Sequence, residues 1–343
     1  MKKIVLFSAV AAAFAAVACS SNNELVINGN IDSGAENAYV VADGDTLATV
    51  PVVDGSFSVK VPLSETMAVI YVRDLPGTSF ATVIAEPGTV NYVKNGNAVK
   101  VTGTPVNDIY QEYRDKMNEF NDAYRAAETR EAKNAIAAEA DELVKKLYED
   151  NLDNYLSVIQ LQSMQYDMDG YALEEALAKV NPKFAATKVV TNLRDRAEIL
   201  KKSAVGQPYL EINLPDAEGN ALPLSSVVGE GKWVLLDFWA SWCGPCMGEV
   251  PYLVSAYGEY HPKGFEIYGV SLDRDRDPWL KAIEDNKMNW IHVSDIKMWQ
   301  CEAAATYGVN AIPANFLIGP DGKIAARNLR GEALAAKLSE IFD

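Results

Sequence analysis

One stretch of the sequence combines a strand, a tight turn and the start of a helix. The strand is indicated by a nearly continuous apolar run, Trp233-Val234-Leu235-Leu236-Asp237-Phe238-Trp239-Ala240. The turn and the helix start follow directly in Ser241-Trp242-Cys243-Gly244-Pro245-Cys246-Met247-Gly248-Glu249. An apolar run of this length is typical of a central strand that is covered on both faces. The order strand, turn, helix therefore predicts an α/β domain in this part of the chain.

Two cysteines lie at the predicted helix start. Cys243 occupies the position where free amide N–H groups and the helix dipole favour negative charge, so we expect a stabilised thiolate there. Cys246 follows by three residues, about one helical turn along the same face, and its sulfur can reach that of Cys243. The spacing predicts a redox pair, with Cys243 as the attacking thiol and Cys246 as the resolving thiol.

One residue of the predicted strand does not suit a buried position. Asp237 places a carboxylate in the apolar run, where burial is costly unless the group is paired, protonated or functional. A central strand seldom tolerates an unpaired charge, and perturbed carboxyl groups cluster at functional sites. We therefore interpret Asp237 as a candidate catalytic residue.

The stretch around the cysteine pair resembles the active-site segment of thioredoxins, and residues 307–318 resemble the thioredoxin segment in which a cis proline precedes a strand. The resemblance implies that Pro313 is cis and packs beside the cysteines, and that Ile312 offers its backbone to a substrate peptide. Trp242 is expected to contact the substrate with them. The same resemblance implies that Asp237 helps to deprotonate Cys246.

Within the thioredoxin-like superfamily, the domain looks most like the membrane-tethered TlpA/ResA type, because residues 265–299 form a longer insertion than a minimal thioredoxin has. In that group a glutamate three residues after the second cysteine tunes the pair, and Glu249 matches it; the alternative is that Glu249 only stabilises the first helical turn. The resemblance implies a thiol-disulfide oxidoreductase that reduces protein disulfides, receives electrons from a membrane redox donor and needs no cofactor.

The N-terminus has the pattern of an export signal. Lys2 and Lys3 precede the apolar run 4–17, which is too short to span a bilayer, and residues 1–18 are predicted to be a signal peptide. Small residues before Cys19 resemble a bacterial lipoprotein cleavage site, so we expect Cys19 to be lipidated, with residues 19–23 as N-terminus and linker. Ala16 departs from the usual leucine of such sites, which leaves cleavage after Ala18 with a free Cys19 as the alternative. Either way, the expected location is the cell envelope.

The pattern changes twice along the rest of the chain. Short β-branched runs separated by Gly, Asn, Asp and Pro turns predict an antiparallel β-sandwich over residues 24–104. Helical periodicity predicts a helical region over 105–203, where apolar side chains at three- and four-residue steps indicate a core-facing surface formed by Tyr110, Tyr113, Met117, Phe120 and Tyr124. Alternating strands and helices then predict the thioredoxin-like domain over 204–343. The predicted fold class is thus α/β, with a C-terminal thioredoxin fold preceded by the β-sandwich and the helical segment.

Composition excludes other classes of partner. A net charge of −16 repels nucleic acid. A metal site is not expected, because Cys301, His261 and His292 have no ligand spacing to the cysteine pair.

Two rival functions stay open. A thiol-dependent peroxidase of the peroxiredoxin type shares the fold, although Leu236 and Ala240 replace the proline and threonine of its signature. The other rival is a non-catalytic envelope scaffold.

Overall fold

The computed structural model describes residues 23–32, 34–74, 81–166, 168–229 and 231–343. The predicted signal peptide and Cys19 lie outside the described residues. The chain divides into two compact units, Met1–Ala137 and Ala138–Asp343. Each unit is described by itself.

The described residues of the first unit form two four-stranded sheets. Its strands are β1 (Glu24–Ile31), β2 (Asn37–Ala42), β3 (Asp45–Pro51), β4 (Ser56–Pro62), β5 (Val69–Arg73), β6 (Ala81–Ile84), β7 (Gly88–Asn95) and β8 (Ala98–Thr102). The strand orders are β4-β1-β7-β8 and β3-β2-β5-β6. Leu25 and Ile27 of one sheet share a buried apolar cluster with Val40 and Ile70 of the other. The two sheets therefore pack face to face as a sandwich.

The predicted β-sandwich is confirmed, with one difference in strand direction. Strand β1 pairs with β7 in parallel, whereas the pairs on either side of them, β1 with β4 and β7 with β8, are antiparallel. A parallel pair requires a long crossover connection. The five strands that lie between β1 and β7 along the chain supply it.

Helix α1 (Pro105–Ala126) contacts the sandwich through polar side chains. The Ile84 N–H donates to Asn107 Oδ1 at 2.8 Å, and the Val101 N–H donates to Gln111 Oε1 at 2.8 Å. Asn107 and Gln111 are the buried residues of α1, and Tyr124 is 46% exposed. The predicted core-facing aromatic surface is confirmed in part: Tyr110, Tyr113, Met117 and Phe120 are half-buried, whereas Tyr124 is exposed. The fully buried positions are those of the two amide side chains, which bond to strand backbones.

The second unit begins with helices. These are α2 (Arg130–Asp150), which crosses the boundary between the units, α3 (Leu156–Met164), α4 (Gly170–Lys179) and α5 (Lys188–Lys202). Leucines at helical spacing, such as Leu173, Leu177, Leu193 and Leu200, are buried in this part. Asp169 caps α4 by accepting from two backbone N–H groups of its first turn.

A five-stranded sheet forms the rest of the second unit, preceded by the hairpin of β9 (Asn213–Pro215) and β10 (Ala221–Pro223). The further elements are β11 (Trp233–Trp239), α6 (Gly244–Tyr260), β12 (Phe265–Ser271), α7 (Arg276–Asp285), β13 (Ile291–Val293), α8 (Glu302–Tyr307), β14 (Ala314–Ile318), β15 (Ile324–Arg327) and α9 (Glu332–Phe342). The strand order is β13-β12-β11-β14-β15. Strand β11 is central, parallel to β12 and antiparallel to β14. The predicted thioredoxin-like domain is confirmed.

Strand β11 is buried along nearly its whole length, as its apolar sequence predicts. Phe238 packs against Tyr307 and Phe316. Asp237, which directly precedes Phe238, is also buried, at 4% exposure. Because β11 is held by neighbours on both sides, its carboxyl end is a rigid base for the residues that follow.

Among the residues that the structure describes, none of the helices is both long and apolar enough to cross a membrane.

Candidate active site

Hydrogen bonds to one carboxylate fix the turn after β11. The Ser241 N–H and hydroxyl donate to the Asp273 carboxylate at 3.0 and 2.6 Å. The Ser271 hydroxyl, at the end of β12, donates to the same group at 2.7 Å. In addition, the Leu272 N–H donates to the Trp239 carbonyl at 2.8 Å. The turn that carries the cysteines is thus tied to the neighbouring strand.

Cys243 and Cys246 form a disulfide at the start of α6. Cys243 is the N-cap residue, and its sulfur accepts a hydrogen bond from the Cys246 N–H at 3.1 Å. Pro245 lies in the first turn, where a missing N–H leaves no partner unsatisfied. Both cysteines are buried, at 5% and 2% exposure. This is the arrangement that the strand, turn and helix pattern predicts.

A second segment packs against the disulfide. The Ile312–Pro313 peptide bond is cis, and the Ile312 carbonyl oxygen lies 3.8 Å from Cys243 Sγ. The Arg330 guanidinium donates to the Pro313 carbonyl. Residues that are about 70 positions apart in the chain therefore meet at the Cys243 sulfur.

A small cavity connects Cys246 with Asp237. Its volume is about 10 Å³, and its polar lining includes Asp237, Glu249, Asn315 and Arg330. Such a volume is enough for a single water molecule. Burial raises the pKa of Asp237 to about 7; the nearby Arg330 acts to lower the pKa, and Glu249 acts to raise it. A carboxyl group with this pKa can accept or release a proton near neutral pH.

Glu249 makes a long-range contact rather than a bond within its own helix turn. The Gly331 N–H donates to Glu249 Oε2 at 2.7 Å, which joins α6 to the residue that precedes α9. The carboxylate also lines the cavity beside Asp237. Glu249 therefore both fixes α6 and contributes negative charge near the second cysteine.

Two tryptophans lie on the surface next to the cysteines. Trp242, which precedes Cys243, is 47% exposed, and Trp299 is 43% exposed. Their ring centroids are 6.2 Å apart in an edge-to-face arrangement. Trp242 was predicted from the sequence, whereas Trp299 lies 57 positions away and has no motif that marks it.

The structure brings the sequence-predicted residues together around one end of β11. Cys243, Cys246, Asp237 and Glu249 share the buried side with Pro313, and Trp242 lies at the surface. Sequence reasoning missed Trp299, Asn315 and Arg330. Asn315 is buried, and its side chain bonds to both backbone groups of Leu329 at 2.7 and 2.9 Å. In the sequence, the one available signal for these three residues was the amide of Asn315, two residues after Pro313.

The remaining candidate ligands are separate from this site. In the described part of the chain, no group of three or more His, Cys, Asp or Glu could hold a metal ion. His292 is buried against Trp239 and Trp290, and burial lowers its pKa to about 4. Cys301 is a buried free thiol at the start of α8, and burial raises its pKa to about 11.

Comparison with known proteins identifies two matched segments. Residues 205–327 match the AhpC/TSA family, and residues 25–110 match a domain of unknown function, DUF4369. A thiol-disulfide oxidoreductase ResA of Bacillus thuringiensis is 34% identical over 146 residues, which are 41% of this chain and 78% of the relative. The ResA of Oceanobacillus iheyensis is 31% identical over 137 residues, 40% of this chain and 69% of that relative.

Two solved structures from Bacteroides are similar to the chain. The thioredoxin domain of a thiol-disulfide oxidoreductase from Bacteroides vulgatus is 37% identical, with a TM-score of 0.38, over 41% of this chain and 99% of that one. A thiol-disulfide oxidoreductase from Bacteroides fragilis is also 37% identical, with a TM-score of 0.37, over 39% of this chain and 99% of that one.

Fold and cysteine pair together define a thioredoxin-like domain with a disulfide-capable dithiol. The relatives are more than 30% identical to the chain and are covered over more than two thirds of their length. The chain therefore belongs to the family of thiol-disulfide oxidoreductases that includes ResA. The predicted family and the predicted oxidoreductase activity are confirmed.

The raised pKa of Asp237 predicts how stability depends on pH. The folded state keeps this proton up to about pH 7, whereas the unfolded chain releases it near the ordinary value of 3.8. Between these values the folded state binds more protons, so Asp237 lowers the free energy of unfolding as pH rises. We expect Asp237→Asn to stabilise the oxidised protein at pH 8 by roughly 2 to 4 kcal/mol, and by far less at pH 4.

Urea unfolding followed by tryptophan fluorescence measures this effect selectively, because all six tryptophans lie in the second unit. Asp273→Asn is the matched control. It weakens the bonds from Ser241 and Ser271 and should therefore destabilise the protein at both pH values. An Asp237→Asn variant that is no more stable than the parent at pH 8 would show that the carboxyl group is not buried as described.

Proposed function

We propose that this protein is exported, anchored to a membrane through lipid on Cys19, and reduces protein disulfides with the thiols of Cys243 and Cys246. The observation that carries the proposal is the disulfide at the start of α6, with its second sulfur beside a carboxyl group whose pKa burial raises to about 7. Membership of the oxidoreductase family supports the same chemistry.

In the first step, the Cys243 thiolate attacks one sulfur of the substrate disulfide. A bond forms between Cys243 Sγ and that sulfur, the substrate S–S bond breaks, and the other substrate sulfur leaves as a thiolate that takes up a proton. The N–H of Cys246, 3.1 Å from Cys243 Sγ, is placed to stabilise the attacking thiolate. The product of this step is a mixed disulfide.

In the second step, Cys246 releases the substrate. Asp237 takes the proton of Cys246, directly or through one water in the shared cavity, and the Cys246 thiolate attacks Cys243 Sγ. The Cys243–Cys246 bond forms, the mixed disulfide breaks, and the expelled substrate thiolate takes up the proton that Asp237 holds, so the substrate leaves as a dithiol. The substrate gains two electrons and two protons, and the enzyme is left oxidised.

Glu249 acts on this step through Asp237. Its negative charge raises the pKa of Asp237, which makes Asp237 a stronger base near neutral pH. The Gly331 N–H holds the Glu249 carboxylate in place, and this bond fixes the position of its charge relative to the cysteines.

The substrate polypeptide binds along the exposed edge of the site. The Ile312 backbone offers hydrogen-bonding groups next to the sulfur, Pro313 packs beneath it, and Trp242 provides an exposed aromatic face on the other side. Trp299 extends this aromatic surface. Together they provide backbone pairing and apolar contact, which suits extended segments of varied sequence.

A reductant must return two electrons after each turnover. We assign this role to a membrane redox donor, because a lipid anchor on Cys19 would hold the chain beside one. The Gly-Pro spacer between the cysteines resembles that of reducing thioredoxins, which favours net reduction of substrates.

Trapping of covalent adducts tests the mechanism. We expect Cys246→Ser to accumulate mixed disulfides with natural partners, because the attacking thiol remains and the resolving thiol is lost. Cys243→Ser is the matched control and should yield no such adducts. The measurement is non-reducing gel electrophoresis of envelope extracts followed by mass spectrometry of the dithiothreitol-released partners.

Two other outcomes would replace the proposal. If the purified protein consumes peroxide with dithiothreitol far faster than dithiothreitol alone, yet fails to reduce insulin, it is a peroxidase. If neither reaction occurs and Cys246→Ser traps nothing, the domain is a non-catalytic scaffold.

The lipid anchor has its own test. Expressed with its N-terminus intact, the protein should sediment with membranes and have a mature N-terminus at Cys19 that carries the mass of attached lipid. Cys19→Ser should lose both properties, and Cys301→Ser should keep them. A mature protein that begins after Ala18 with an unmodified Cys19 would contradict the anchor but not the redox mechanism.

A further inference from the structure

A second cavity lies beside the cis-proline segment. Its volume is about 380 Å³, within the range of sites that bind small ligands or single peptide side chains. We name it the arginine cavity; its lining includes Tyr166, Arg196, Asn310, Ile312, Arg327 and Arg330. Tyr166 and Arg196 come from the helical part of the second unit, and the other lining residues come from the thioredoxin-like part of the same unit.

The arginine cavity is positively charged and incompletely paired. The Nε atoms of Arg196 and Arg327 are buried, and neither has a hydrogen-bond partner among the described residues. Burial lowers the pKa of both guanidinium groups, and Arg327 lowers that of Arg196 further by repulsion. None of the described residues of the lining is Asp or Glu. Asp169 does act on Arg327, but its Oδ1 already accepts from Tyr171 and Ala172 at the start of α4.

Arg196 is held in a fixed position on the wall. Its Nη1 donates to the Gly308 carbonyl at 2.9 Å, and its Nη2 donates to Asn310 Oδ1 at 2.9 Å. The helix behind it packs closely on the same turn, since a Cβ at Gly308 would lie 2.9 Å from Leu200 Cδ2. The Arg196 guanidinium group is therefore fixed, and its positive charge is held at the wall of the cavity.

The arginine cavity adjoins the candidate active site and shares lining residues with it. Ile312, whose carbonyl oxygen lies 3.8 Å from Cys243 Sγ, lines it, and so does Pro313. Arg330 lines both this cavity and the small one beside Cys246. A polypeptide bound along Ile312 with its cysteine at Cys243 has neighbouring side chains within about three residues of the arginines.

From this geometry we infer that the arginine cavity binds an acidic side chain of the substrate polypeptide close to the target cysteine. The inference rests on the proposed function and adds a substrate class to it: disulfides flanked by Asp or Glu. Charge complementarity carries it, since three arginines and no Asp or Glu line the cavity in a protein whose net charge is −16. A carboxylate can accept two parallel hydrogen bonds from a guanidinium group.

Reduction of two synthetic peptides tests the inference. Each contains one internal disulfide; in one peptide two Glu residues flank each cysteine, and in the other these residues are Gln. For the parent protein we expect kcat/KM to be about tenfold higher for the Glu peptide, as a charged hydrogen bond allows. In Arg196→Gln and Arg327→Gln the ratio should fall to about one or below, because the remaining charge of the protein repels the Glu peptide.

Three comparisons make the result specific. Arg194→Gln removes an arginine from the same helix that does not line the cavity, and should keep the preference. Arg327→Lys should keep part of the preference, because lysine retains the positive charge. This variant separates the effect of lost charge in Arg327→Gln from an effect on folding. In the parent protein, salt should weaken the preference.

The possible outcomes are distinguishable. If neither peptide is reduced, the proposed function fails. Equal reduction of both peptides by the parent protein, or a preference that the Gln variants retain, overturns the inference alone. If the Gln variants lose turnover of oxidised glutathione but not the Glu preference, the cavity takes a small carboxylated disulfide, and the inference is wrong in its substrate.

Discussion

The position of one sulfur at the start of a helix is the constraint on which the site depends. Cys243 caps α6, and its sulfur accepts from the Cys246 N–H, so a free amide group of the first helical turn contacts the atom that would carry negative charge. Other features serve to keep it there. The rigid end of β11 delivers the turn, the Asp273 carboxylate ties the turn to β12, and Ile312 packs against the sulfur from a distant segment.

The second constraint is a carboxyl group that opposes stability. Asp237 lies in the central strand, where burial makes its charged form unfavourable, and Arg330 offsets only part of that cost. A packed apolar sheet tolerates such a residue because strands on both sides hold β11 in place. The same burial raises the pKa of Asp237 to the range in which a general base can work at neutral pH. Arg330 lines both the small cavity beside Cys246 and the arginine cavity, so positive charge extends beyond the cysteines.

The sequence predicted those features that leave a local pattern. The apolar run of β11, the cysteine spacing and the Ile312–Pro313 motif each lie within a few residues, and the structure has them where the patterns indicate. Strand β3 did not stand out, because it is an edge strand that is mostly exposed and lacks a buried alternating face. The burial of Asn107 and Gln111 in α1 was missed, because these side chains attach the helix by hydrogen bonds, which apolar periodicity does not report. Trp299 and Arg330 reach the site only through tertiary folding.

The pH dependence of alkylation at Cys243 tests the central constraint most directly. In reduced Cys246→Ser protein, the rate of iodoacetamide modification at Cys243, followed by mass spectrometry to separate it from the buried Cys301, reports the thiolate population. The account predicts that the rate reaches half of its maximum well below pH 8.5, the value for a free thiol. A half-maximum at or above that pH would mean that the helix start does not stabilise the thiolate, and would contradict the account.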